Sequence, residues 1–381
     1  MNKFCIKEIK NCDIVNELAG VGFDTSYQLK ASEKYQYKNL KIFSLSSAQA
    51  NILKQTALSF GADCAVHKDV ITGKINNSDV ILGGSYSQLR KILDKLKKQP
   101  FSLSILADEI EKQLKSTKTK TQIVGILNIT DNSFSDGGDF FDEDKAYAKL
   151  QTLIEDGADI IDIGAESTKP GVDSVDAETQ IQRIMPVLEF IKSNNITTPI
   201  SIDTRSSKVA EYSLQNGATI INDVSGLKYD EKMAEIIAKY NATIVIQHSI
   251  NKNNLGSNIA ENTYQNVIED VFLNLKKQTE FAEEKGIKNI IIDVGIGFDK
   301  TLEDNFKLFN RIDEFKSLGY PVMLGISRKS MLQLPNSDNQ EKDIYTLALN
   351  TIAIEHEIDY IRVHNVKIHS RLIDIYKKEM I

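Results

Sequence analysis

The chain has 381 residues, 41% of them hydrophobic and 26% charged, with a formal net charge of −7. At about 150 residues per domain this length points to two domains, or to a large one with an appendage, and the mildly acidic balance argues against nucleic acid or a membrane surface as general partners. No apolar run nears the roughly 20 residues of a membrane helix, the first residues lack a signal-peptide core, and three cysteines (Cys5, Cys12, Cys64) without a CxxC pair make a disulfide scaffold or zinc site a poor fit and a reducing cytoplasm the natural compartment.

In the first part of the chain, the runs 41–46, 64–68 and 79–85 read as strands, with helical stretches between and after them, notably 86–97 and 104–115. These form a small α/β domain. The strand–Gly83-Gly84-Ser85–helix junction is either an ordinary tight turn or an anion site at a helix N-terminus. The polar segment 115–122 has no apolar period and marks a boundary, giving domains 1–116 and 117–381. The stretch beyond it is close to the roughly 250 residues of a single β/α barrel.

Eight short Ile/Val-rich runs follow, at 123–128, 160–166, 199–204, 219–224, 243–249, 289–295, 321–327 and 360–366. Amphipathic helical stretches such as 176–194 and 261–285 lie between them. Near-continuous apolar strands separated by helices are parallel strands covered on their outer face. Eight such units close a barrel, with an open doubly wound sheet as the alternative. The fold class is therefore α/β, a (β/α)8 TIM barrel preceded by a small α/β domain.

Almost every run ends in a polar residue: Asn128, Glu166, Asp203, Asn222, His248, Asp293, Ser327 and His364. In a parallel barrel all strand C-termini share one rim, so these positions converge on one pocket. Strand alternation pairs Ile126 with Asn128, Ser201 with Asp203, Ile291 with Asp293 and Arg362 with His364. The acceptors Asp203, Asn222 and Asp293 suit a flat heterocycle with ring N–H and amino donors; capping of loops and helix ends is the plainer alternative. Arg362, His364 and Lys329, the last within Ser327-Arg328-Lys329-Ser330, read as an anion grip after strands seven and eight. The alternative is a set of salt bridges to Asp293 or Asp203. The oxygen-rich loops at 128–138 and 166–171 could close over a substrate, and Mg²⁺ beside a diphosphate would need only one or two protein oxygens. Asp162 reads as a buried structural acid, and His356 and His369 as surface residues. By spacing alone, Gln247, His248 and Ser249 carry no chemistry, and Gly295-Ile296-Gly297 is too short a glycine pattern to mean a nucleotide site.

Seven strings stand in order: GILNITDNSFSDGG (125–138), DIIDIGAESTKPG (159–171), SIDT (201–204), INDVSGL (221–227), IIDVGIGFDKTLEDN (291–305), GISRKS (325–330) and IRVHNVK (361–367). Together they resemble the dihydropteroate synthase family of pterin-binding barrels. The resemblance implies a transferase that joins 6-hydroxymethyl-7,8-dihydropterin diphosphate to 4-aminobenzoate, with Mg²⁺ as cofactor. It implies that Asp203, Asn222 and Asp293 hold the pterin edge, and that Lys329 reaches its carbonyl and ring nitrogen. Asn128 would support Mg²⁺, and Arg362, His364 and Asn128 would surround the diphosphate. Thr168 and Pro170 would help form the aminobenzoate pocket, with Ser330 near its carboxylate. Asp136 would stabilise the pterin cation. A homodimer through barrel helices is implied as well.

The chain departs from the family strings at Asp131-Asn132, Lys169, Gln247-His248-Ser249 and Asn365. Asn365 falls on the outward face by alternation. The polar Gln247 and Ser249 imply a more polar packing surface for the pterin. Two other functions use related sites: methyl transfer from a folate to a corrinoid protein, and non-catalytic pterin binding. Neither needs both the Ser-Arg-Lys-Ser and Arg-Val-His segments. The resemblance does not extend to residues 1–114.

Overall fold

The computed structural model describes residues 4–9, 14–115, 120–130, 143–166, 175–250, 264–332 and 337–379. The chain packs as two compact units that divide between Thr117 and Lys118.

In the first unit, helices α1 (Ile14–Gly20) and α2 (Gln28–Ser32) precede a three-stranded sheet. Its strands β1 (Tyr37–Ser46), β2 (Asp63–Val66) and β3 (Asn77–Ser85) are antiparallel in the order β1-β3-β2. Helices α3 (Ser47–Ser59), α4 (Tyr86–Leu96) and α5 (Leu103–Leu114) complete it. Ser78, Val80 and Leu82 alternate inward on β3, while Ile81 is half exposed, the period-2 pattern of a sheet covered on one face. Leu53, Leu89, Ile92 and Ala107 pack against that inner face in one core. Ser46 and Ser85 each end a strand and start a helix through reciprocal capping boxes with Gln49 and Gln88, which satisfies helix-start donors locally. Gly83, Gly84 and Ser85 are thus the last residues of β3, with Ser85 capping α4 directly.

The second unit is a closed barrel of parallel strands, β4 (Gln122–Asn128), β5 (Ile160–Gly164), β6 (Ile200–Asp203), β7 (Ile220–Asp223), β8 (Thr243–Gln247), β9 (Asn289–Asp293), β10 (Val322–Leu324) and β11 (Tyr360–Val363). Between them run α6 (Glu143–Glu155), α7 (Ala177–Ser193), α8 (Ser207–Gln215), α9 (Met233–Lys239), α10 (Val267–Glu284), α11 (Leu302–Phe309) and α12 (Asn339–Glu355); α13 (Val366–Glu379) follows β11. The outward residues Ile161, Ile163, Ile202, Ile244, Ile246, Ile292, Leu324 and Val363 pack beneath these helices. Each such burial contributes about 1.5–3 kcal/mol. The inward residues Val124, Ile160, Ile220, Val245, Ile291 and Met323 form a separate apolar layer inside the barrel, with Tyr360 against it. Two residues further along β5, β7, β8, β9 and β11 the same face becomes polar, while β4 continues with the apolar Ile126.

His369 corrects the surface reading: it is 1% exposed. Its helix α13 turns this face toward α12. Nδ1–H donates to the Asn365 carbonyl at 2.7 Å, so Nε2 accepts from Asn350 Nδ2 at 3.0 Å. His356 is half-buried and stands 3.3 Å from Asp313.

Candidate active site

Above the apolar layer, the inward face carries Asp162 on β5, Ser201 and Asp203 on β6, Asn222 on β7, Gln247 on β8, Asp293 on β9 and Arg362 on β11. Asp162 is completely buried and organises this layer. Its Oδ1 accepts from Ser201 Oγ at 2.5 Å, and its Oδ2 accepts from Arg362 Nε at 2.6 Å and Asn222 Nδ2 at 3.2 Å. Arg362 Nη2 donates to Asp203 Oδ2 at 2.7 Å. The arginine that the sequence assigns to an anion is therefore paired with two carboxylates, as the salt-bridge alternative expected, although Asp162 is one of them and Asp293 is not. Burial works against its charge, but Asp162 and Asp203 outweigh burial and keep the guanidinium protonated.

Burial raises the Asp203 carboxyl above its ordinary range, with Arg362 pulling the other way. Burial also raises Asp293, opposed chiefly by Lys329, and Asp293 Oδ1 accepts from the Gly295 amide at 2.7 Å. Lys329 Nζ donates to the Ile296 carbonyl at 2.6 Å and sits 4.5 Å from the centre of the Phe298 ring. Burial lowers Lys329 to about 8, with Asp293 resisting. A lysine poised there is charged at neutral pH yet weakly solvated.

His364 enters the site as a neutral imidazole. Burial, then the Arg328 and Arg362 cations, lower it to about 3. As a neutral ring it can offer a ligand hydrogen bonds but no charge. The His364 amide donates to Ser327 Oγ at 3.2 Å, and that hydroxyl lies 2.9 Å from His364 Nδ1. In the tautomer in which Ser327 donates to Nδ1, its hydroxyl accepts from the amide and gives its own proton to the ring. That tautomer carries the imidazole proton on Nε2, where it is available as a donor. Arg328 forms a two-pronged pair with Asp343, both contacts at 2.8 Å, and Asn365 donates to the same carboxylate at 3.1 Å. Both side chains fix the loop after β10, and neither joins the inner polar layer.

Asn128 is exposed at the end of β4. Ser330 opens a short 3₁₀ turn, Ser330–Leu332; its side chain, together with Asp136, Thr168 and Pro170, lies outside the described residues. The structure therefore brings together Asp203, Asn222, Asp293, Lys329 and Arg362, with His364 and Asn128 at strand ends on the same rim.

Two groups of residues escaped the sequence reading. Lys300 is one: its Nζ contacts His248 Nδ1 at 3.1 Å and the Gly295 and Phe298 carbonyls at 2.9 Å each, and burial lowers it to about 7. Burial, then Lys300, likewise depress His248. The turn around Lys300 explains the glycine pair. Gly295 has φ +69°, and a Cβ there would stand 2.0 Å from the His248 carbonyl oxygen, a contact no side chain survives. A second group joins Arg205 to Glu166 at 3.1 Å, both nearly buried, with the guanidinium 4.3 Å from the Tyr229 ring centre. It anchors the end of β5 to the loop after β6. Gln247, expected from the sequence to make the pterin's packing surface more polar, is buried at the end of β8.

The family model of pterin-binding enzymes matches residues 124–364. The dihydropteroate synthase of Clostridium beijerinckii is 43% identical over 257 residues, which cover 66% of this chain and 91% of that protein. The probable bifunctional folylpolyglutamate synthase/dihydropteroate synthase of Haloferax volcanii is 36% identical over 345 residues, 84% of this chain. The match spans only 40% of that longer protein. The crystal structure of dihydropteroate synthase from Clostridium difficile, obtained in the presence of pteroic acid, superposes with a TM-score of 0.62 at 36% identity, covering 69% of this chain and 98% of that one.

Proposed function

This chain belongs to the pterin-binding enzyme family, and from that premise we infer that it is a transferase of folate biosynthesis. It condenses 6-hydroxymethyl-7,8-dihydropterin diphosphate with 4-aminobenzoate, giving 7,8-dihydropteroate and pyrophosphate. The observation that carries this reading is the inner polar layer: Asp203, Asn222, Asp293 and Lys329 converge in a barrel mouth closed below by an apolar floor. Such a set is complementary to the donors and acceptors of a pterin.

In the reaction the methylene carbon–oxygen bond breaks and the amine nitrogen bonds to that carbon. The electron pair leaves with the diphosphate, and the amine gives up a proton. The carboxylates of Asp203 and Asp293 hold ring and amino N–H groups and favour the electron-poor pterin that forms as the bond stretches. Lys329 donates to the pterin carbonyl and ring nitrogen. Arg362 and the Nε2–H of His364 face the departing diphosphate. The Asp162–Arg362 pair fixes the guanidinium before substrate arrives, so little reorganisation is needed in the transition state. The amine is already nucleophilic, and no strong base is required.

The exposed Asn128 amide at the rim is a hard oxygen donor of the kind Mg²⁺ accepts when phosphate and water supply the remaining ligands. Asn128 would hold the ion, which when bound neutralises charge on the leaving diphosphate. Asp136 stabilises the pterin cation, Thr168 and Pro170 line the aminobenzoate pocket, and Ser330 meets its carboxylate. Sulfonamides, as mimics of 4-aminobenzoate, compete for that pocket. The exposed Ile344, Tyr345 and Ile352 on α12 support a homodimer through barrel helices. The cysteine usage supports a cytoplasmic location.

The test is pyrophosphate release by the purified chain with pterin diphosphate, 4-aminobenzoate and Mg²⁺, omitting each in turn and identifying the pteroate formed. Release that needs all three supports the reaction. Pterin binding without release in the complete mixture would refute it and direct attention to methyl transfer.

A further inference from the structure

Two buried polar atoms on the inner face of the barrel have no hydrogen-bond partner among the described residues: Asn222 Oδ1 and Gln247 Nε2. Their residues are 2% and 4% exposed. The other three such atoms belong to Ser213, Gln278 and Asn350, on helices outside the barrel. Leaving buried polar atoms unpaired is costly, and native proteins complete their bonding with protein groups, ordered water, an ion or a ligand.

The strand register places the two atoms in a sequence. Asn222 pairs with Asp203 on one side and with Val245 on the other. Val245 lies in the apolar floor, so Gln247, two residues on, shares its inward face one step higher. Gln247 in turn pairs with Asp293. Around the mouth the groups therefore run as acceptor (Asp203 and Asn222 Oδ1), donor (Gln247 Nε2), acceptor (Asp293). The edge of a dihydropterin runs in the complementary order: the N8–H donor, the bare N1 acceptor, then the 2-amino donor.

We propose that Gln247 is a further pterin-positioning residue, whose Nε2 donates to N1 of the bound heterocycle while Asn222 Oδ1 accepts from the N–H beside it. This rests on the pterin reading of the site and adds a specificity element to it. A ring with carbon in place of N1 would leave Gln247 unpaired, so the site selects for a nitrogen there.

The proposal is tested with Gln247→Leu and Gln247→Met in the full chain, by calorimetric titration with 6-hydroxymethyl-7,8-dihydropterin diphosphate, steady-state kinetics and thermal melting without ligand. Loss of one neutral hydrogen bond weakens pterin binding about three- to tenfold. The expected result is that loss, a matching rise in the pterin KM, and little change in the 4-aminobenzoate KM or in kcat. Because the orphaned donor is removed, Tm of the free protein holds or rises. Pterin affinity that is unchanged or tighter in both variants would overturn the proposal. So would a loss of affinity that comes with a lowered Tm in both, since that marks a structural role. A folded wild-type chain that fails to bind the pterin diphosphate would instead overturn the underlying reading, and the proposal with it.

Discussion

Replacing Asp162 with asparagine removes one charge from the centre of the inner layer while keeping its shape. The carboxylate receives Arg362 Nε at 2.6 Å and Asn222 Nδ2 at 3.2 Å on one oxygen, and Ser201 Oγ at 2.5 Å on the other. The asparagine carbonyl can keep the first two bonds, and the serine hydroxyl can turn to accept from the new NH₂ group. What is lost is the charge assistance, which separates bonds worth about 1.5–3 kcal/mol from neutral ones worth about 0.5–1.5 kcal/mol. Removing one partner of a buried pair outright costs about 3–5 kcal/mol. Here the cost is smaller, because Arg362 retains Asp203 at 2.7 Å and the desolvation of one carboxylate disappears. The expected net is about 2 kcal/mol of destabilisation, a fall in Tm of roughly 4–8 °C at this size. Asn222 loses its charged acceptor, so the pterin KM rises several-fold while the 4-aminobenzoate KM stays put. A double-mutant cycle with Arg362→Met should return a coupling above about 1 kcal/mol. A Tm within about a degree of the parent, with negligible coupling, would refute the view that this pair organises the layer.

Lys329→Ala should abolish turnover with an unchanged far-UV circular dichroism spectrum; retained turnover would remove Lys329 from the site. Because burial places Lys329 at about 8, its charge is present below that pH and lost above it. Pterin diphosphate affinity should weaken as pH rises through about 8, an inflection that Lys329→Ala lacks. Burial lowers the pKa of His369 in the folded state, so below the ordinary value of about 6.5 the unfolded chain takes up a proton that the folded chain refuses. Stability therefore falls as pH drops through that value, by up to about 1.4 kcal/mol per unit. Urea unfolding of the parent and of His369→Gln at pH 7.5 and 5.5 should show the smaller pH slope in the variant, and equal slopes would contradict it. A fragment starting at Lys118, which keeps the closed barrel and its own core, should fold cooperatively and turn over at a rate comparable to the full chain; an unfolded fragment would show that the first unit supports the barrel.

The barrel was legible because its strands carry two signals at once. Ile and Val on alternate positions, such as Ile161, Ile163 and Ile202, announce burial beneath helices, and the polar residue closing each run announces the rim. Asp203, Asn222 and Asp293 follow from that alternation alone. What the sequence hides is the pairing across the barrel. Asp162 and Arg362 are 200 positions apart, and only closure of the sheet brings them within bonding distance. The same blindness affects His369, whose partner Asn350 belongs to another helix. It also affects Lys300, whose burial depends on the Gly295 turn. Gln247 stood out in the sequence only as a polar change in the pterin's packing surface, because an amide has no spacing signature; a hydrogen-bonding role arises only when its burial and missing partner are known. By sequence His364 belongs to the last strand, whereas β11 ends one residue earlier at Val363; its neutrality comes first from burial and then from two arginines that three-dimensional packing brings near.

The vertical order of charge inside the barrel determines how a substrate must enter. At the level of Asp162, Asp203 and Asp293 the inner wall is rich in acceptors, balanced by Arg362 and Lys329. Nearer the rim lie the His364 donor and the Asn128 amide. A heterocycle with N–H groups at one end and a diphosphate at the other satisfies this order in only one direction. Reversed, the diphosphate would face Asp203 and Asp293, and like charges in a poorly solvated space repel strongly. The ring-first direction leaves the carbon–oxygen bond at the boundary between acceptor wall and rim, where an amine arriving from outside meets the methylene carbon. The arrangement that specifies the ring thus also sets the point at which the bond breaks.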